Sequence, residues 1–270
     1  MRYWHPKDRA IPPFLTLRTA ALALPLILAA SLACAETKTL PPLPKIGIEG
    51  KDARTRVDSK LWPWISIGRI NREIGGHCTG TLIAPDLVLT AAHCLYNSND
   101  GRWTAPFEVH FVAGYDRGSY AAHARGKRFI HDPKYDPKKA TSLAQMARDW
   151  AIIELDQKLT LKPVPLSADA RARILSQPTA GEVNAAGYSG DWPEILMRHA
   201  GCRIEGTVDE IPLMLHNCDS TFGASGGPLL VMKGSDAEII GLQSGVLQLK
   251  DKSERGAAVP AWNFRSAVPR

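Results

Sequence analysis

Residues 220–230 read STFGASGGPLL. Gly223, Gly226 and Gly227 bracket Ser225, and an apolar run follows. Glycine lets the backbone turn tightly and lets a second molecule approach it closely. Ser225 is therefore either a nucleophile on a shaped turn or an ordinary turn residue entering a buried strand. SGG alone is too common to choose between them. Two other stretches bear on the choice. LTAAHCL (89–95) places His93 after the apolar strand Leu87–Leu89, and RDWAIIELD (148–156) opens an otherwise apolar run with Asp149. Ala151, two residues on, faces the same side of the strand as Asp149 and leaves room for another side chain to reach the carboxylate.

Each residue has a bland reading. A lone histidine is more often a satisfied core residue, and Asp156 reads as an ordinary strand-end carboxylate. Together the three types define a chemistry. Serine is a weak nucleophile at neutral pH and needs an adjacent base, for which the histidine pKa is suited. The histidine needs a carboxylate to fix its tautomer and stabilise the imidazolium. The turn can also aim the N–H groups of Gly223 and Ser225 into one space as an oxyanion hole, worth about 3 kcal/mol per donor.

Composition sets the frame. The chain has 270 residues, 44% hydrophobic and 22% charged, which excludes a disordered chain. Twenty prolines and 22 glycines favour short strands joined by tight turns. Residues 1–18 are basic, an uncharged run extends from Thr19 to Ala35, and the run ends in Ala33-Cys34-Ala35, a cleavage pattern of an exported protein. We expect a signal peptide over 1–35, a proline-rich pro-segment or linker over 36–45, and a mature domain over 46–270 that is secreted or periplasmic. Removing four basic residues and one acid lowers the formal charge from +6 to +3. No basic stripe points to nucleic acid. Without Cys34, four cysteines remain (Cys78, Cys94, Cys202 and Cys218), an even number that argues for two disulfides. Three pairings are open. The pairs nearest in sequence would each close a loop worth about 3 kcal/mol. No ligand spacing for zinc is present, and neither a metal nor a cofactor is expected.

Short apolar runs punctuated by APD, YNSNDG and HDPKYDPKK fill the first half, and the style repeats after Leu161–Pro165. The pattern predicts an all-β fold of two six-stranded antiparallel barrels, over about 60–160 and about 165–265, with the active site in the cleft between them. LAQMARDW and SADARARILS are the best helix candidates.

TAAHC, DWAIIEL and GASGGP make the chain resemble the chymotrypsin/trypsin-like serine peptidases, from about Ile46 onward. DARTRV, GYSGDWP and HNCDSTFGASGGP make it similar to the bacterial V8/glutamyl-endopeptidase-like branch. The resemblance implies His93 as general base, Asp149 as its orienting carboxylate, Ser225 as nucleophile and the Gly223 and Ser225 amides as oxyanion hole. Animal trypsins carry aspartate before the nucleophile, where it binds the ammonium freed on activation. Ala224 cannot do this, and we expect packing and a Cys202–Cys218 bridge to hold the turn instead. Cleavage of a zymogen after Lys45 is the expected activation step. The resemblance also places Asp219, Ser220 and Thr221 on one wall of the P1 pocket and Gln243, Ser244 and Gly245 on the other. Asp219 reads either as a selector of Arg or Lys at P1 or as a turn residue.

The expected function is a secreted serine endopeptidase acting through an acyl-enzyme on polypeptide substrates, with Arg or Lys the expected P1 residue, as a monomer, with a protein inhibitor as a candidate partner and no membrane association after signal cleavage. The rivals are an inactive relative that binds protein and an esterase on the same fold. An α/β-hydrolase is excluded because no histidine follows Ser225.

Overall fold

The computed structural model describes residues 46–176, 183–208 and 210–269. The expected signal peptide and pro-segment, with Cys34 and Lys45, lie outside the described residues. Among the described residues no helix is long and apolar enough to cross a membrane.

The first half carries β1 (Arg54–Arg56), β2 (Ile67–Arg72), β3 (His77–Ala84), β4 (Leu87–Thr90), β5 (Tyr96–Asn97), β6 (Arg102–Trp103), β7 (Val109–Ala113), β8 (Ala122–His131) and β9 (Ala151–Leu155). Six of these close a barrel in the order β2-β3-β4-β9-β8-β7. The apolar runs that announced strands supply its core: all four residues of β4 are buried, and Ile67, Ile70, Leu82, Ile152 and Ile153 have no exposed surface. Burying such side chains contributes roughly 1.5–3 kcal/mol each. The segment between the halves is less polar than its sequence suggests, because Val164 is fully buried and its N–H donates to the Leu82 carbonyl at 2.9 Å.

The second half carries β10 (Val183–Gly187), β11 (Met197–Cys202), β12 (Ile204–Thr207), β13 (Met214–His216), β14 (Pro228–Lys233), β15 (Asp236–Gln248) and β16 (Glu254–Pro260). Here the expectation of a second six-stranded barrel is corrected. With β1 these strands form an eight-stranded antiparallel sheet, ordered β1-β11-β10-β14-β15-β16-β13-β12. Its end strands, β1 and β12, do not pair with each other, so the sheet is not a closed ring. Bulges at Leu229/Leu230 and Gln243/Gly245 bend it. A strand before the barrel in sequence thus belongs to the sheet after it, a long-range pairing that no local pattern encodes.

Both helix candidates form, as short segments α1 (Leu143–Met146) and α2 (Ala170–Ser176). After β16, Phe264 is fully buried and packs on the Trp150 ring at 6.1 Å, while Asn263 Nδ2 donates to the Ala147 carbonyl at 2.8 Å. The C-terminal turns therefore brace the segment that presents Asp149.

Candidate active site

His93 lies in a single 3-10 turn, Ala92–Leu95, directly after β4. Asp149 lies two residues before β9, which pairs with β4 through Thr90 and Ala151. Adjacent antiparallel strands thus carry the histidine and the carboxylate to the same end of the barrel. Asp149 is buried and fully engaged. Its Oδ2 accepts from His93 Nδ1 at 2.7 Å and from the Ser244 hydroxyl at 2.6 Å, and its Oδ1 accepts from the His93 backbone N–H at 2.8 Å. A carboxylate on Nδ1 keeps the proton there and leaves the Nε2 lone pair for proton transfer.

Electrostatics follow from this arrangement. Burial opposes a charged imidazole, but the Asp149 charge and hydrogen bond outweigh it and hold His93 above its ordinary value. Burial likewise opposes the Asp149 carboxylate, yet His93 and the Ser244 hydroxyl hold it below the usual carboxylate range.

Ser225 sits half-buried in the connection entering β14. Its carbonyl accepts from Thr79 N–H on β3 at 2.9 Å, which ties the turn to the barrel. No hydrogen bond joins the Ser225 hydroxyl to His93 Nε2; bonds of this kind commonly tighten only with substrate bound. Neither the Gly223 nor the Ser225 N–H donates to any of the described residues. Both remain available for an oxyanion. The glycines are structural necessities: Gly223 has φ +91°, and a Cβ there would lie 2.5 Å from His77 Nε2 and 2.6 Å from the Tyr188 carbonyl. Gly226 has φ +80°, and a Cβ would lie 2.3 Å from the Thr79 carbonyl.

Both disulfides join the cysteines nearest in sequence, Cys78–Cys94 and Cys202–Cys218. The first bridges β3 to the His93 turn, and Cys94 Sγ lies 3.8 Å from the Ser225 carbonyl. Cys78, His93 and Cys94 cluster closely enough to share an ion, but the sulfurs are bonded to each other and offer no thiolate.

The P1-wall residues divide. Asp219 is buried and its oxygens accept from the backbone N–H groups of Glu49 at 3.2 Å and Ala53 at 2.8 Å, with His199 Nδ1 at 3.4 Å. Its carboxylate anchors the segment leading into β1. Ser220 N–H donates to the Gly47 carbonyl at 2.9 Å. Gln243 is buried and folds back, Nε2 donating to the Gly245 carbonyl at 2.9 Å. The Ser244 hydroxyl donates to Asp149 Oδ2 and so supports the carboxylate. Gly245 leaves space that the Met146 methyl reaches, 2.9 Å from where a Cβ would stand.

Sequence reasoning missed Thr79. Its hydroxyl accepts from Tyr188 N–H at 2.9 Å and donates to the Gly223 carbonyl at 3.0 Å, joining β3, the Tyr188 loop and the glycine turn. A buried threonine in a strand carries no signal of this. Arg54 and Asp191 were missed as well. Besides the Cys202–Cys218 bridge just before it, the turn is held by hydrogen bonds with Thr79, Gly190, Asp191 and Gly227.

A closed β-barrel and a bent antiparallel sheet jointly presenting histidine, aspartate and a glycine-flanked serine define a chymotrypsin-like serine peptidase architecture. Residues 53–268 match the Trypsin family model, and the chain belongs to the trypsin family. Serine protease 23 of Rattus norvegicus is 29% identical over 189 residues, 62% of this chain and 48% of that protein. Serine protease 56 of Homo sapiens is 32% identical over 144 residues, 49% of this chain and 21% of that protein. Glutamyl endopeptidase of Bacillus licheniformis is 43% identical over 61 residues, 22% of this chain and 19% of that protein. The chain spans about half the length of serine protease 23. A solved Glu endopeptidase in complex with MPD superposes with TM-score 0.62 at 22% identity, over 82% of this chain and 96% of that one. The VesB protease of Vibrio cholerae superposes with TM-score 0.59 at 20% identity, over 79% of this chain and 65% of that one. At these identities the superpositions show a shared fold.

Proposed function

We propose that this protein is an exported serine endopeptidase that cleaves polypeptides through an acyl-enzyme. The observation that carries the reading is the Asp149 carboxylate, satisfied by His93 and Ser244, beside a glycine turn whose two amides have no acceptor among the described residues. Ser225 Oγ attacks the scissile carbonyl as His93 Nε2 takes its proton, and the carbonyl oxygen becomes an oxyanion bound by the Gly223 and Ser225 N–H groups. His93 then passes the proton to the leaving amine, the C–N bond breaks and the acyl-enzyme forms. Water, deprotonated by the same histidine, releases the acid product.

For P1 selection, the engagement of Asp219 with Glu49 and Ala53 argues against Arg or Lys, and Ser220 and Gln243 supply polar walls without a free charge. The basic run and A-x-A pattern at the N-terminus support export.

The test uses purified mature protein and its Ser225→Ala variant with casein, a P1-varied peptide library and a fluorophosphonate probe. Cleavage and labelling by the wild type, both lost in the variant, are expected. A folded wild type that does neither would refute the peptidase reading and favour a binding relative. Hydrolysis of esters without peptides would favour the esterase.

A further inference from the structure

The residue before the proposed nucleophile, Ala224, is buried and uncharged, so no ion pair at that position can hold the oxyanion turn. A neighbouring ion cluster reaches the turn from another direction. Arg54, on β1, has only 2% of its side chain exposed. Its Nη1 and Nη2 donate to Asp191 Oδ1 and Oδ2 at 3.0 and 2.5 Å, a two-pronged contact. Its Nε and Nη2 also donate to the two Asp52 oxygens at 2.9 and 2.8 Å. Asp191 Oδ1 accepts in addition from the Thr221 hydroxyl at 2.7 Å. Thr221 is the first residue of the turn: its carbonyl accepts from Ala224 N–H at 3.1 Å, and the next carbonyl, Phe222, accepts from Gly190 N–H. The chain of contacts runs unbroken from β1 to the residues that present the Gly223 and Ser225 amides.

Space makes the same point. Arg54, Ser189 and Ala224 border a cavity of about 10 Å³, no more than about one water in size. Asp219 and His199 line the same cavity, but the Asp219 oxygens are taken by the Glu49 and Ala53 N–H groups. The guanidinium of Arg54 is the cation whose contacts lead on to Thr221. β1 is itself held in place, through its register with β11 (Arg54 opposite His199) and through the Asp219 contacts to Glu49 and Ala53 just before it.

We propose that Arg54, acting through Asp191 and Thr221, is the positioning residue that holds the oxyanion turn in its working shape. The proposal rests on the reading of Ser225 as nucleophile. Arg54 touches neither substrate nor reacting atoms. It supplies from within the chain the constraint that animal trypsins obtain from an ammonium paired to the residue before the serine.

The test begins with the wild type, whose cleavage and fluorophosphonate labelling must be lost in Ser225→Ala; failure there removes the peptidase reading, not the tether. With an active wild type, Thr221→Val, Thr221→Ser, Asp191→Asn and Arg54→Lys are compared by kcat, KM, melting temperature, and inhibition by the best library peptide as an aldehyde and as the matching alcohol. The aldehyde becomes tetrahedral on Ser225 and uses the oxyanion amides; the alcohol does not. Thr221→Val and Asp191→Asn are expected to lower kcat about 10- to 100-fold, the cost of a small misplacement of catalytic groups. The aldehyde should weaken in parallel, while in Asp191→Asn, which lies outside the P1 walls, KM and alcohol binding stay within about twofold, the pattern of a contact expressed in the transition state. Thr221→Ser keeps the hydroxyl and should recover the activity. Arg54→Lys loses the fork and should fall in the same direction, and combined with Thr221→Val it should lose no more than the worse single variant. Folded Thr221→Val with wild-type kcat, equal weakening of aldehyde and alcohol in Asp191→Asn, or failure of Thr221→Ser to recover would each overturn the proposal. Should Arg54→Lys not fold, the Thr221 pair still decides it.

Discussion

Gly223→Ala offers a direct physical challenge to the proposed oxyanion turn. Residue 223 has φ +91°, so an L side chain is strained wherever it finds space, at roughly 1–2 kcal/mol. Here it finds none. The new methyl would stand 2.6 Å from the Tyr188 carbonyl and 2.5 Å from His77 Nε2. The histidine can swing away, but the carbonyl belongs to a fully buried tyrosine whose own N–H is held by Thr79 at 2.9 Å. Relief must come from the turn, which withdraws the Gly223 N–H from the oxyanion position. Losing one such donor costs about 10²–10³ in kcat. The strain alone should lower the melting temperature by about 2–8 °C for a domain of this size. Gly234→Ala is the control, since that glycine has φ +62° but nothing within 4 Å of a new Cβ. It should show comparable destabilisation with unchanged kcat. Steady-state kinetics on the best library peptide, with thermal melts of all three proteins, read both quantities. A folded Gly223→Ala enzyme with kcat within about threefold of wild type would refute the assignment of that amide, because an oxyanion donor cannot be removed so cheaply.

Three further outcomes follow from other parts of the molecule. Since Asp149 raises His93 above its ordinary 6.5 and only the neutral imidazole can accept the serine proton, the acid limb of kcat/KM should have its midpoint above 6.5. In Asp149→Asn it should shift downward with a loss of about 10⁴ in kcat; an unshifted limb would break the link. Buried His216 is pushed down to about 4 from 6.5, so the unfolded chain binds the extra proton first, and stability falls as pH drops from about 6.5 towards 4. That contribution is about 3 kcal/mol; urea unfolding at pH 7 and 4.5 should show a smaller loss in His216→Gln, and equal losses would exclude it. Finally, Gly47 N–H donates to Glu254 Oε2 at 2.7 Å while Ile46 is 39% exposed, so cleavage after Lys45 would leave the anchored segment undisturbed. Mass spectrometry of the active form should find Ile46 at its N-terminus, and an N-terminus at Glu36 would disprove the cleavage.

Much of the site was legible along the chain because its chemistry is carried by local motifs. Alone, His93, Asp149 and Ser225 each admit a bland reading; together, with their flanking motifs, they mark the proposed triad. Five of the six barrel strands were readable for a similar reason: burial on a pleated surface imposes apolar runs such as LVLT and AIIEL, and turns impose Pro, Asn, Asp and Gly between them. β8, AHARGKRFIH, is half exposed and carries no such run. Side chains that work by reaching across the fold left no such trace. Ser244 was read as a pocket wall, yet its hydroxyl lies on Asp149, 95 residues away in sequence. Asp219 likewise gave no sign that its carboxylate would accept from the backbone of residues 49 and 53.

The sequence by itself determined which residues could do chemistry here and that a mainly β framework would carry them, because residue type, glycine placement and hydrophobic spacing are local properties. Only the tertiary structure decided which of the three cysteine pairings forms, that the second half is an eight-stranded sheet completed by β1, and that Arg54 reaches the turn beside Ala224. The disulfide partners lie only 16 residues apart, yet three pairings were open along the chain. The sheet order and the Arg54 contacts join residues far apart in sequence, and their geometry is set by the simultaneous packing of many strands.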